Sequence, residues 1–220
     1  MIQNVDTGAV WRRRRAFYVA GGKRVLDIAL VICAAPFALP VVAVLWAAVR
    51  LQDGGSGFYS HPRVGHGGRP FRCYKLRSMT PEGGQPLRQM LETDPELRAE
   101  WRARQKLTAD PRITPLGSWL RRTGFDELPQ LWNVLCGEMS LVGPRPITAE
   151  ELRHYGVASA RYLAVRPGLT GLWQITGRKS RGDWHARRQL DLNYLSHMSL
   201  SRDFLILVRT VSAVLRAEGE

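Results

Sequence analysis

Two adjacent carboxylates, Asp126 and Glu127, follow a pair of arginines at positions 121 and 122. The segment Asp126–Leu135 predicts a helix, because Pro129 falls in a first turn whose N–H groups need no intrahelical partner. Asp126 would then lie at or near the N-cap, where the helix dipole keeps a carboxylate ionised. An ionised carboxylate can attack phosphorus or bind Mg²⁺, while neighbouring arginines hold phosphate oxygens. Ordinary helix capping explains the same residues and stays open as the alternative.

Arg145 is flanked by prolines on both sides, which restrict its backbone and favour a fixed guanidinium for bidentate phosphate binding. A salt bridge with Glu150 or Glu151 is the alternative. Two glycine-rich loops, residues 64–68 and 166–171, could bring backbone N–H groups to an anion or could be plain turns. Further basic candidates for phosphate binding, none of them decisive alone, are Arg63, Lys75, Arg77, Arg112, Arg122 and Arg166.

An uncharged run over residues 28–49 has basic residues on both sides. Its 22 residues would reach about 33 Å as one straight helix, enough to cross a bilayer core. However, basic residues mark cytoplasmic flanks, and Pro36 and Pro40 each remove a helix hydrogen bond. The pattern therefore predicts a re-entrant helix-break-helix over residues 23–51 that leaves the membrane on the face where it entered. A straight transmembrane helix is the main alternative, and a signal peptide or a buried core helix fits less well.

The remaining elements indicate an α-rich α+β fold. A basic N-terminal arm over residues 1–22 precedes the re-entrant membrane segment, and residues 52–220 form a small cytoplasmic domain with short strands and amphipathic helices. Strands are predicted at Phe58–Tyr59 and Phe71–Leu76. Helices are predicted at Pro86–Lys106 with a restart at Pro95, and at Pro115–Arg122, Asp126–Leu135, Ala149–Tyr155, Asp183–Leu195 and Ser201–Leu215. The stretch Met139–Pro146 passes through a predicted rigid loop at Gly143–Pro146, and Arg166–Gly171 is predicted to be a loop.

The last predicted helix has an apolar face that could pack into the core or lie on a membrane. We favour packing. The residues of this face are Phe204, Leu205, Leu207, Val208, Val211 and Val214.

The chain carries a formal net charge of +13, which implies an anionic partner such as nucleic acid, lipid head groups or phosphorylated substrates. The apolar run favours lipids and phosphates. Three widely spaced cysteines without a CxxC motif indicate free thiols in a reducing compartment. The five histidines lack the spacing of a zinc site, and the sequence contains neither a Walker A motif nor a GxGxxG before a helix.

Taken in order, several segments resemble the bacterial sugar transferase family, the monotopic polyprenyl-phosphate phosphoglycosyl transferases, in the short form. The resemblance covers about residues 23–215, and the ordered set is far more specific than any single motif. The segments are Lys23-Arg24-x-x-Asp27, Arg63-Val-Gly65, Pro70-Phe-x-x-Tyr74-Lys75-x-Arg77-Ser-Met79, Asp110-Pro-Arg112-Ile-Thr114-x-x-Gly117, Asp126-Glu-Leu-Pro-Gln-Leu-Trp-Asn-Val-Leu135, Met139-Ser-Leu-Val-Gly-Pro-Arg-Pro146, Arg166-Pro-Gly-Leu-Thr-Gly-Leu-Trp173 and Asp191-x-x-Tyr194.

This resemblance implies a catalytic domain and a ping-pong reaction. Asp126 would attack the sugar-bearing phosphorus of a UDP-sugar and release UMP, and the phosphosugar would then pass to undecaprenyl phosphate. Glu127 would bind Mg²⁺, and Arg145 would hold a phosphate. Lys23, Arg24 and Asp27 would anchor the base of the membrane helix. The family often has Ser-Pro at the helix break, where this chain has Leu39-Pro40, so the serine hydroxyl that could satisfy a freed carbonyl is missing there.

These observations favour an enzyme at the inner leaflet of the bacterial inner membrane, with a cytoplasmic catalytic domain, that begins exopolysaccharide or glycoconjugate synthesis without a nucleic-acid partner. Two rivals stay open: a noncatalytic membrane adaptor that binds anionic lipid or nucleic acid, and a glycosyltransferase that releases UDP. The sequence leaves open the sugar, the pathway and whether the chain forms a homo-oligomer.

Overall fold

A computed structural model describes residues 18–81, 84–104, 107, 110–176 and 183–216. The first 17 residues of the predicted basic arm therefore lie outside the described residues. The strands are β1 (Phe58–Val64), β2 (Pro70–Leu76), β3 (Ser140–Val142) and β4 (Gly168–Thr170). The described α-helices are α1 (Lys23–Asp53), α2 (Gly84–Thr93), α3 (Pro95–Arg104), α4 (Pro115–Thr123), α5 (Gln130–Cys136), α6 (Ser159–Leu163), α7 (Leu172–Thr176), α8 (Trp184–Ser196) and α9 (Leu200–Leu215). The structure is mostly helical with two small sheets, which agrees with the predicted α-rich class.

Helix α1 is preceded by a π-helical turn, Tyr18–Gly22, and is helical without interruption through Pro36 and Pro40. Gly54, with φ of 72°, ends it by donating its N–H to the carbonyl of Arg50. Within the described part of the chain, α1 is the one helix whose length and composition would allow it to cross a membrane. Its apolar side chains are largely exposed, as Phe37 at 79% illustrates. The predicted re-entry of this segment stays a prediction.

The chain divides into two compact units. One comprises residues 1–36, 62–73 and 130–212, and the other comprises residues 37–61, 74–129 and 213–220. The core of the first unit has two clusters: one contains Val31, Phe71, Val134, Met139, Tyr194 and Ile206, and the other contains Ile147, Tyr155 and Tyr162. In the second unit, Val49, Leu76 and Leu120 form the buried centre.

Strands β3 and β4 pair in parallel, with Ser140 opposite Gly168 and Val142 opposite Thr170. The predicted loop at Arg166–Gly171 is therefore wrong over Gly168–Thr170, whereas β3 ends before the predicted rigid loop at Gly143–Pro146. Each strand has only three residues, too few for an alternating pattern to appear in the sequence. An added side chain at Gly168 would overlap the backbone of Gly143, so the close pairing needs glycine.

Most of the predicted helices are confirmed. The predicted restart at Pro95 separates α2 from α3, and the Asp94 carboxylate accepts the N–H groups of Glu96 and Leu97 at 2.9 and 3.1 Å. Asp183 caps α8 in the same way. The predicted helix Ala149–Tyr155 is instead a 3-10 segment, Glu151–Ala158, which is interrupted at Gly156.

The apolar face of α9 is less buried than the packing interpretation requires. Leu207 packs against the first unit's core. In contrast, Phe204, Leu205, Val208 and Val211 are exposed by 67, 48, 50 and 59%. The buried side of α9 is formed by Ile206 and by the carboxylate of Asp203, which accepts a hydrogen bond from Tyr194 Oη at 2.8 Å.

Candidate active site

The acidic pair lies in a single 3-10 turn, Phe125–Glu127, between α4 and α5. Gly124, with φ of 73°, ends α4 and begins this turn, and α5 starts only at Gln130. The predicted continuous helix over Asp126–Leu135 with Asp126 at its N-cap is therefore wrong. The carboxylates follow the carboxyl end of α4, so the favourable dipole that we expected from a helix amino terminus is absent at this position.

Helix α4 is held where it is by its own first turn. The Thr114 hydroxyl accepts the N–H of Gly117 at 2.9 Å, and Pro115 occupies the first helical position. Gly117 packs directly on the backbone of Ser78, and an added Cβ there would overlap the Ser78 carbonyl oxygen. This close approach fixes α4 against the segment after β2 and so positions the turn that carries the acidic pair.

Lys75 bridges the two carboxylates. Its Nζ lies 3.2 Å from Asp126 Oδ2 and 2.8 Å from Glu127 Oε1. Asp126 is 6% exposed, and this burial raises the pKa of its carboxyl, whereas the Lys75 ammonium lowers that pKa and the Glu127 carboxylate raises it. Lys75 therefore supplies the main interaction that favours an ionised Asp126 against the cost of desolvation.

A second positive charge near the pair was not singled out by the sequence. Arg121 donates from Nε to the Ser78 hydroxyl at 2.9 Å, and its charge also lowers the pKa of the Asp126 carboxyl. The predicted candidate, Arg122, is instead exposed. Adjacent arginines on a helix point in directions about 100° apart, so the sequence alone could not tell which of the two faces the carboxylates.

The geometry is suited to nucleophilic attack by a carboxylate on an electron-poor centre. Asp126 is buried and held by a single ammonium, and Glu127 is more exposed and shares that ammonium. Among the described residues, no group of three or more His, Cys, Asp and Glu side chains is arranged to hold a metal. Two adjacent carboxylates nevertheless fit Mg²⁺, because this ion is usually bound by one or two carboxylates together with substrate phosphates and water.

Two predicted phosphate-binding arginines of the second unit, which also contains Asp126, already pair with carboxylates. Arg77 forms an ion pair with Asp53 at 2.5 Å and donates to the carbonyls of Ser56 and Met79. Arg112 pairs with Asp110 at 2.6 Å. The Asp110 carboxyl has a lowered pKa because hydrogen bonds and charge from Arg112 outweigh the opposing effect of burial. These contacts support the local fold.

In the other unit, Arg166 donates from Nε to the Gly137 carbonyl at 2.7 Å, and Arg63 donates to the Pro62 carbonyl at 3.3 Å. The backbone carbonyl of Arg145 accepts from Tyr162 Oη at 3.1 Å. The predicted alternative partner Glu151 takes part in a capping box, in which its carboxylate accepts the Thr148 N–H at 2.9 Å.

The three residues at the base of α1 contact elements far along the chain. Lys23 forms an ion pair with the buried Asp203. Arg24 donates to the carbonyls of Val134 and Leu135 at the end of α5. Asp27 accepts from the Ser140 hydroxyl at 2.7 Å and from the Leu141 N–H at 3.1 Å. These contacts join the first turns of α1 to α9, α5 and β3.

Comparison with known proteins identifies the family. The sequence pattern described as bacterial sugar transferase matches residues 18–217, nearly the whole chain. The chain belongs to the bacterial sugar transferase family. Among its relatives is the exopolysaccharide production protein ExoY of Sinorhizobium fredii, which is 43% identical over 90% of this chain and 87% of its own length.

Two further relatives of this sugar transferase differ in length. The undecaprenyl-phosphate galactose phosphotransferase of Salmonella typhimurium is 46% identical over 90% of this chain, which spans only 41% of the Salmonella protein. The UDP-glucose:undecaprenyl-phosphate glucose-1-phosphate transferase of Caulobacter vibrioides is 34% identical over 90% of this chain and 71% of its own length.

Proposed function

We propose that this sugar transferase moves a sugar-1-phosphate from a UDP-sugar to undecaprenyl phosphate, as a membrane step of exopolysaccharide synthesis. The observation that carries the proposal is the buried Asp126, paired with Glu127 and bridged by Lys75. The names of the Salmonella and Caulobacter relatives support the donor and acceptor classes. The name of the Sinorhizobium relative supports the pathway.

In the first half-reaction, a carboxylate oxygen of Asp126 attacks the β-phosphorus, which bears the sugar. The bond from this phosphorus to the oxygen that bridges to the α-phosphorus breaks, and UMP leaves with that oxygen. Asp126 then carries the phosphosugar as an acyl phosphate. Burial supports this role because it removes water that would compete as a nucleophile, and Lys75 favours the ionised form that attack requires.

In the second half-reaction, a phosphate oxygen of undecaprenyl phosphate attacks the same phosphorus. The bond between phosphorus and the Asp126 oxygen breaks, so the carboxylate is regenerated and the product is a diphosphate-linked lipid sugar. Glu127 would hold Mg²⁺, which supplies charge neutralisation to the phosphates when it is bound. Arg145 would hold a donor phosphate through its guanidinium.

The lipid acceptor requires the site to lie at a membrane. We propose that α1 enters the inner membrane from the cytoplasm and leaves on the same face, with the catalytic residues cytoplasmic. The basic residues on both flanks of α1 support this orientation, because the positive charges of each flank favour the cytoplasmic side. The apolar length and exposure of α1 support insertion itself.

The rival functions make different predictions. A UDP-releasing glycosyltransferase would attack the anomeric carbon and would not need a carboxylate bound to phosphorus. A noncatalytic adaptor would bind anionic lipid in a salt-dependent way and would be indifferent to Asp126→Asn. Neither rival accounts for a carboxylate whose burial raises its pKa and beside which a lysine opposes that rise.

The test is nucleotide release by the purified, detergent-solubilised protein with Mg²⁺, undecaprenyl phosphate and a panel of UDP-sugars that includes UDP-galactose and UDP-glucose. We expect UMP with at least one donor. Without acceptor, we expect a burst of one UMP per protein and a mass increase of one sugar phosphate on Asp126. Release of UDP would refute the proposed bond cleavage.

Two variants complete this test. Asp126→Asn should abolish UMP release and the mass increase while membrane association is retained, because Asp126 is outside α1. Glu92→Gln, which removes an exposed carboxylate on α2, is the matched control and should behave like the wild type. Loss of membrane association or folding in Asp126→Asn would instead indicate a structural role for the carboxylate.

A further inference from the structure

The loop that carries Arg145 is attached to the rest of its unit through backbone carbonyls. Prolines 144 and 146 have no N–H to donate, so carbonyl oxygens are the main remaining attachment points. The Pro144 carbonyl accepts the Gly168 N–H at 2.8 Å. The Arg145 carbonyl accepts from two side chains, Tyr162 Oη at 3.1 Å and Arg187 Nη2 at 3.4 Å. Two side chains therefore converge on the backbone of the residue that is proposed to bind phosphate.

Arg187 is itself fixed on several sides. Its guanidinium lies 4.9 Å from the ring centre of Trp173 and 4.7 Å from that of Trp184. Arg187 is buried, with only 8% of the residue exposed. The His154 ring stacks on the Trp184 ring, with ring centres 4.4 Å apart and an interplanar angle of 10°. Contact with both aromatic rings therefore limits the movement of the guanidinium.

A buried acid completes this network. Asp191, which is 1% exposed, lies 4.0 Å from Arg187 Nε and accepts a hydrogen bond from Tyr155 Oη at 2.5 Å. Tyr155 and Tyr162 are in ring contact at 4.9 Å. Tyr162 and Arg187, which both donate to the Arg145 carbonyl, thus belong to one buried cluster with Tyr155 and Asp191.

We propose that Tyr162 and Arg187 are positioning residues that fix the Arg145 backbone so that its guanidinium meets the donor phosphate. Burying an arginine and an aspartate is expensive, and an apolar cluster of similar volume would stabilise the fold at least as well. A guanidinium tolerates little displacement when it binds phosphate through two hydrogen bonds. Fixing the Arg145 backbone therefore favours phosphate binding by its side chain. The proposal rests on the proposed function of Arg145.

The least disruptive test is Tyr162→Phe, which removes one hydroxyl and retains the ring. Because a single hydrogen bond to the loop is lost, we expect the KM for the UDP-sugar to rise about 3- to 10-fold. The melting temperature and kcat should change little. Arg187→Lys should act in the same direction, since lysine retains the charge but lacks the guanidinium that lies over both rings. Arg188→Lys is the matched control, because Arg188 is the next residue on α8 and donates to the His154 carbonyl.

A double-mutant cycle decides between positioning and general stabilisation. In an Arg145→Lys background, Tyr162→Phe should have no further effect on the KM. A full additional rise there would overturn the proposal, because Tyr162 would then act independently of Arg145. A wild-type KM in both Tyr162→Phe and Arg187→Lys, with Arg145→Lys impaired, would also overturn it. A wild-type KM in Arg145→Lys itself would instead refute the proposed role of Arg145 in phosphate binding.

Discussion

Replacing Lys75 by methionine should move the acid limb of the pH–rate profile upward. The change retains an unbranched side chain and removes the ammonium that lies 3.2 Å from Asp126 Oδ2 and 2.8 Å from Glu127 Oε1. Burial already raises the pKa of the Asp126 carboxyl, and the Lys75 charge is the largest influence that lowers it. Without Lys75, that pKa rises further, so Asp126 is protonated and unable to attack at a higher pH than in the wild type.

The size of this shift follows from the geometry. Two unit charges about 4 Å apart attract by roughly 4 kcal/mol at an effective dielectric constant of about 20, which is equivalent to about 3 pH units. Lys75 is shared between two carboxylates, and 26% of its side chain is exposed, so solvent and Glu127 both reduce its effect on Asp126. We therefore expect the acid limb of kcat/KM to move upward by about 1–2 pH units.

The assay is the initial rate of UMP release between pH 5 and pH 9, because the pH dependence of kcat/KM reports groups of the free enzyme. Lys75→Arg should retain the wild-type acid limb, since the charge is retained. Arg72→Met, which removes an exposed charge from the same strand, controls for net charge. A Lys75→Met profile that is lower at every pH with an unmoved acid limb would refute the reasoning and would assign Lys75 to substrate binding.

Three further predictions concern the scaffold. Gly117→Ala should lower the free energy of unfolding by more than about 2 kcal/mol in thermal unfolding, because the new methyl group would overlap the Ser78 carbonyl. Replacing a helical glycine by alanine usually stabilises a protein by about 1 kcal/mol, so a stabilised variant would show that this contact relaxes. Burial raises the pKa of Asp191 to about 6, so its stabilising contribution is complete only below the unfolded pKa and is lost as pH rises through 6. From pH 4 to pH 7, the free energy of unfolding of the wild type should therefore fall by about 2 kcal/mol relative to that of Asp191→Asn, and a constant difference would contradict this. Gly21→Cys and Gln52→Cys, each in a cysteine-free background, place one thiol near each end of α1. If α1 is re-entrant, both thiols should react with a membrane-impermeant maleimide only after cells are opened. Labelling of one thiol from outside and the other from inside would establish a straight transmembrane helix.

Local sequence signals predicted the parts of the fold that depend on near neighbours. Helix α4 has a threonine cap and a first-turn proline, and α8 has an aspartate cap, so both were predicted within about two residues of their observed bounds. The pair β3 and β4 was missed because its pairing joins residues more than 25 positions apart, and neither strand has a pattern of its own.

The candidate site was predictable in part for the same reason. Asp126 and Glu127 are adjacent in sequence, so their proximity was certain, and the family resemblance assigned their roles. The choice of Arg121 over Arg122 depends on which face of α4 packs on Ser78, and the convergence of Tyr162 and Arg187 on Arg145 depends on tertiary packing. Neither fact has a local signal in the sequence.

The contacts at the base of α1 set an order of events during synthesis. Ser140, the partner of Asp27, is 113 residues downstream, and Asp203, the partner of Lys23, is 180 residues downstream, so both partners are synthesised later. At about 5–20 residues per second, a ribosome reaches these partners about 6–23 s and 9–36 s later. During that interval the apolar helix has emerged while the groups that will hold its first turns do not yet exist. The proposed insertion of α1 into the bilayer can therefore begin before the rest of the chain folds, so that the other elements of its unit would assemble on a helix already in the lipid.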